Sequence, residues 1–215
     1  MPTTAITRCR ALALGATLSL TAATAFAHPG HEATTVLGSF WGGLLHPLTG
    51  ADHLLAMASV GVWSALSTHG QAARFAPGAP RPGVAQLLRL PLAFVVLMLV
   101  GAALGMAGMA LPAVEPMIAT SLLVIGLLVA LRAQLPAAAG MAIVGGFALF
   151  HGYAHGTELP ASAPVMAYVG GFALATMTLH CLGLGAGLLL RRRVSWLARA
   201  AGAGVALYGV GLLVA

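Results

Sequence analysis

The chain has 215 residues, of which 60% are hydrophobic and only 7% charged, and its mean hydropathy is +0.97. An ordinary soluble domain carries about 25% charged residues, so a water-soluble fold is excluded and an all-α integral membrane protein is expected. The net charge of +6 comes from arginine with no lysine, and its placement along the chain speaks for topology rather than for a nucleic-acid surface.

Residues 1–27 read as a secretory signal peptide. Arg8 and Arg10 form a basic start, residues 11–25 an apolar stretch, and Ala25-Phe26-Ala27 a small-x-small cleavage site. Cleavage leaves one membrane domain, 28–215, and puts residue 28 outside the cytoplasm. The new start, His28-Pro29-Gly30-His31-Glu32, offers an amine, two imidazoles and a carboxylate. Pro29 lacks the amide hydrogen that a square-planar amide chelate needs, so His28 and His31 fit a loose metal collector. Cys9 falls in the signal segment and Cys181 in an apolar run, so no disulfide is expected.

Six apolar segments of spanning length follow, at about 37–66, 87–110, 116–133, 137–157, 164–190 and 195–215. Pro and Gly separate them, with Pro77, Pro80 and Pro82 in the first connection, Pro112 and Pro116 in the next, then Pro136, and then Pro160 and Pro164. Arg74, Arg81, Arg89, Arg132, Arg191, Arg192, Arg193 and Arg199 all fall on one side of the resulting bundle. Glu32, Glu115 and Glu158 fall on the other. The positive-inside rule then predicts a multi-pass protein of the cytoplasmic membrane with both termini periplasmic. Residues 141–149 repeat at 166–174 with one difference, and the same offset aligns His155 with His180. The paired glycines of that repeat suit close helix approach.

Ionisable side chains at bilayer depth are costly and usually mark a task. His46, Asp52 and His53 share the first segment, and two imidazoles with a carboxylate suit a divalent transition metal. On a straight helix His46 and His53 lie about 10.5 Å apart along the axis, too far to share one ion. Pro47, with Gly42, Gly43 and Gly50 around it, predicts a break between about 43 and 50 that lets His46 swing toward Asp52 and His53. Met57 lies on the His53 face with a soft thioether on offer, and by itself reads as lipid-facing or core filler. In the fourth segment His151 and His155, four apart, face one way, and Glu158 continues the stripe near its outer end, where an entrance is expected. His180 in the fifth segment is a candidate ligand along the way, and His69 follows the first segment on the arginine side. A purely structural alternative stands beside each: polar residues bonded to one another or to carbonyls across helices. No phosphate-cradling GxxxxGK[ST] and no HExxH occurs, so neither ATP nor intramembrane proteolysis is indicated.

The stretches 46–53 (His-Pro-Leu-Thr-Gly-Ala-Asp-His) and 150–158 (Phe-His-Gly-Tyr-Ala-His-Gly-Thr-Glu) resemble the two motifs of the HupE/UreJ family of nickel permeases. The resemblance implies a six-span secondary permease rather than an enzyme, with no resident cofactor. Its substrate would be Ni²⁺, taken up to supply hydrogenase or urease, and its functional positions His46, Asp52, His53, His151, His155 and Glu158. Imidazole and carboxylate also suit Co²⁺ and Zn²⁺. The partners implied are the metal ion and the lipid bilayer. Two other classes remain open on the residues alone: a membrane metalloenzyme, and a proton-relay or structural membrane subunit.

Overall fold

The computed structural model describes residues 35–75, 82–159, 164–193 and 195–215, without the side chains of 69–75, 192, 193 and 195. The expected signal peptide, His28 and His31 lie outside the described residues, as does the side chain of His69. Within them the chain forms eight helices: α1 Val36–Thr49, α2 Ala51–Phe75, α3 Val84–Leu87, α4 Arg89–Met106, α5 Val114–Ala130, α6 Ala137–Thr157, α7 Val165–Arg193 and α8 Ser195–Val214. Four of them (α4, α6, α7 and α8) are long and apolar enough to cross a membrane, and α5 is an apolar helix of 17 residues.

The first expected segment is indeed two helices, but the interruption is at Gly50 and not at Pro47. Thr35 caps the start of α1 by accepting the Gly38 N–H. Pro47 stays inside α1, and the chain becomes extended only at Gly50 (φ −97°, ψ 118°). The proline takes away one bond to the preceding turn, whereas residue 50 is where the neighbouring side chains demand room. A Cβ there would lie 2.7 Å from Asp52 Oδ1 and 3.2 Å from His53 Nδ1. Helix α2 begins at once, its Leu54 N–H bonding the Gly50 carbonyl.

Helices pair through glycine. The α1–α2 unit lies along α7, with Gly43 against Tyr168, Ala58 against Gly183 and Val62 against Gly187. These contacts ascend together, so the two run parallel. Helix α4 lies along α6 in the same sense, Gly101 meeting Leu149 and Gly105 meeting Tyr153. Helices α5 and α8 run antiparallel, Gly126 meeting Gly202 and Gly209 meeting Leu123. At most of these points a methyl group would run into the partner's backbone, so only glycine permits the distance.

One end of the bundle is tied by side chains of α2. Trp63 Nε1 donates to the Ala133 carbonyl at 3.0 Å and Ser64 Oγ to the Leu87 carbonyl at 2.6 Å. That end carries Arg89 at the start of α4 and Arg132 just past α5. Arg132 takes the left-handed conformation (φ 51°) that closes α5, where the Ala133 N–H bonds the Leu128 carbonyl. Between this end and the cluster lies an apolar core that includes Met57, Val60, Trp63, Leu66, Phe94 and Met98.

Candidate metal-binding site

Helix α6 presents His151, His155 and Glu158 as one stripe, since positions four and seven apart share a face. The stripe faces the α1–α2 break. There the two groups of residues expected to be separate, one at mid-membrane and one at the entrance, come together as a single cluster. His46 Nε2 lies 2.9 Å from Glu158 Oε2, and its ring is 4.7 Å from that of His155. The ring of His53 is 4.4 Å from that of His155 and 4.9 Å from that of His151. One donor atom from each of His46, His155 and Glu158 lies within 4.8 Å of the others, a set of the size that holds a metal ion.

The cluster opens toward one side. The side chain of Glu158 is 57% exposed and that of His46 33%, while His155 is 2% exposed and His151 fully buried. Exposure thus falls from Glu158 and His46 to His155 and His151.

The hydrogen bonds place the protons of the inner imidazoles. His53 Nδ1–H donates to Asp52 Oδ1 at 3.0 Å, so its Nε2 carries the lone pair. Ser121 Oγ on α5 spends its one proton on the Ile118 carbonyl at 2.7 Å, and it lies 2.9 Å from His151 Nε2. That nitrogen is therefore the donor, and His151 Nδ1 carries the lone pair. His53 Nε2, His151 Nδ1 and both nitrogens of His155 are buried with no hydrogen-bond partner. The oxygen behind His53 and the one behind His151 match the usual outer-shell arrangement of metal-binding histidines, in which such a partner fixes tautomer and orientation. In this arrangement Asp52 stands behind His53 and orients it, a different place from the shared ligand set expected of His46, Asp52 and His53.

His180 does not join the cluster. It is fully buried on α7, and its Nδ1–H donates to the Met57 carbonyl at 2.7 Å. The Met57 side chain is likewise buried in the core. Sequence reasoning passed over Ser121, whose only sign was a hydroxyl in an apolar helix. It also missed Phe94 and Phe172, whose rings lie 5.7 Å from His151 and 4.2 Å from His155 and give no local signal among so many apolar residues.

The protein-family model described as HupE / UreJ protein matches residues 16–212. The chain is 42% identical over 191 residues to Protein HupE of Rhizobium leguminosarum bv. viciae, covering 88% of this chain and 90% of the relative. No solved structure matches the chain. With a family model spanning nearly its whole length and a relative of this identity, the chain belongs to the HupE/UreJ family.

Proposed function

We propose that the protein is a secondary permease that carries a divalent transition-metal cation, Ni²⁺ first among them, across the cytoplasmic membrane toward hydrogenase or urease. The observation that carries this reading is the set of four buried, partnerless imidazole nitrogens on His53, His151 and His155, beside the donors of His46 and Glu158. A buried polar atom without a partner is costly, and several converging on one spot leave room for a cation that has shed its water. In this reading Ni²⁺ is the substrate and no cofactor or enzyme chemistry is involved. His28 and His31 collect the ion on the outer side. It then meets His46, His155 and Glu158 and passes to His53 and His151.

Six crossings after a cleaved signal peptide, with both ends periplasmic, account for the helix directions. When crossings alternate, the first and fifth run parallel, as α1–α2 and α7 do, and so do the second and fourth, as α4 and α6 do. The third and sixth then run opposite, as α5 and α8 do. The arginines at 89 and 132 share the tied end, which the positive-inside rule assigns to the cytoplasm.

The test is accumulation of labelled Ni²⁺ in cells stripped of other nickel importers. Asp52→Asn and His53→Ala are each expected to lower uptake about tenfold or more, the usual range for ligand and outer-shell changes, while the protein still inserts. Uptake equal to wild type in both would refute the reading. Metal-independent proton flux would favour a proton relay, and a bound ion that never exchanges would favour a metalloenzyme.

A further inference from the structure

The donors described so far are nitrogen and oxygen, but a sulfur stands at the same height in the bundle. Gly152, between His151 and His155 on α6, packs on the Met98 backbone of α4 so closely that a Cβ would run into it. Met98 is therefore level with the two imidazoles, at the end of the apolar core that faces them. Its thioether reaches α7, where the Thr176 hydroxyl donates to Sδ at 3.7 Å, and both residues are fully buried. Thr176 follows Phe172 by one turn, and the Phe172 ring lies 4.2 Å from that of His155. The sulfur is thus held where α4, α6 and α7 meet, at the level of the partnerless nitrogens of His151 and His155. The bond that holds it departs from the habit of this chain. Thr49, Thr120, Thr157 and Thr178 each donate to a carbonyl three or four residues back, the ordinary choice for a hydroxyl in an apolar helix. Thr176 turns to the thioether instead. The hydroxyl engages one lone pair of the sulfur and leaves the other free.

We propose that Met98 Sδ is the soft ligand of the metal cluster, a specificity-determining donor that Thr176 positions at the height of His151 and His155. Imidazole suits Ni²⁺, Zn²⁺, copper and iron, but the carboxylates of the site equally suit Mg²⁺, Ca²⁺ and Mn²⁺. A thioether tilts the set toward the borderline and soft ions and against the hard ones. The methionine side chain is unbranched and flexible, so its sulfur can swing onto an ion while α4 stays in place on Gly152. A methionine kept for packing alone would gain nothing from a hydroxyl on its sulfur. This inference rests on the permease reading, whose cluster it completes.

The full chain in detergent is loaded with Ni²⁺, and X-ray absorption at the nickel edge reads which atoms surround the ion. The expected result is a sulfur neighbour beside nitrogen and oxygen in the wild type, lost in Met98→Leu, which keeps the bulk of the side chain. The variant should melt close to wild type yet show a lower preference for Ni²⁺ over Mn²⁺ in competition binding. The absence of a sulfur neighbour in the wild type overturns the proposal. A sulfur that persists in Met98→Leu overturns it as well, since another residue then supplies it. An unchanged preference for Ni²⁺ over Mn²⁺ overturns the specificity role. If Met98→Leu does not insert, Thr176→Val is read in its place, because it keeps the shape and removes the hydroxyl. A weakened sulfur signal then supports the proposal, and an unchanged one overturns it. A wild-type protein that binds no Ni²⁺ refutes the cluster and the permease reading together, a failure distinct from nickel bound without sulfur.

Discussion

The proton on His151 is placed by a serine on the preceding helix, α5, and that small fact shapes what the ring can bind. Ser121 commits its hydrogen to Ile118, so His151 must donate from Nε2 and expose Nδ1. Ser121→Ala removes that constraint and leaves the ring free to take the other tautomer. Ni²⁺ affinity is expected to fall about tenfold or more, measured by calorimetry, with little change in melting temperature. Protons compete with the cation for the same lone pairs, because ligands bind deprotonated. Uptake should thus fall as the medium is acidified, and uptake indifferent to acidification at constant membrane potential would contradict this. The stripe of His151, His155 and Glu158 was legible in the sequence because helical spacing alone puts those positions on one face. The merging of that stripe with His46 and His53 was not, for it depends on which helices lie side by side. The contact of Asp52 with the His53 ring was hidden for a related reason: adjacency in sequence does not say which atoms meet.

At the level of the helices, proline and glycine had different jobs from those their reputations suggest. Pro47 marked the right neighbourhood for a break, yet the chain opens at Gly50, where side chains of the site occupy the space a Cβ would need. Local rules see the missing amide hydrogen of proline. They do not see a carboxylate and an imidazole folding back from the next turn. The repeat at 141–149 and 166–174 is similar in letters and different in use. In the first copy Gly145 meets Leu97 and Gly146 faces open space; in the second Gly170 is open and Gly171 meets Phe40. Gly101→Ala drives a methyl into the Leu149 carbonyl, which cannot move without shifting α6. Thermal melting in detergent should show a loss of about 1–3 kcal/mol, the usual cost of overpacking. Gly146→Ala, with nothing within 4 Å, should melt as wild type.

Across the whole molecule, composition was enough to read an all-helical chain with helices apolar enough to cross a membrane, and the expected 137–157 coincides with α6, whereas the expected 37–66 is two helices that run on to Phe75. The pairing of those helices, parallel in two cases and antiparallel in one, left no mark that a single sequence displays. The pairing in turn places the acid groups unevenly. Asp52 and Glu158 belong to the open cluster, while the core between it and the arginine-bearing end is apolar. Those carboxylates are fixed to their helices. On the permease reading proposed above, a dication leaving them would carry its full charge through that apolar core, and its transport would be electrogenic. A membrane potential, negative inside, would then contribute about 2.3 kcal/mol per elementary charge for each 100 mV. Vesicles clamped with valinomycin should load Ni²⁺ faster as the interior is made more negative, and a rate indifferent to voltage would mean that a compensating charge crosses as well.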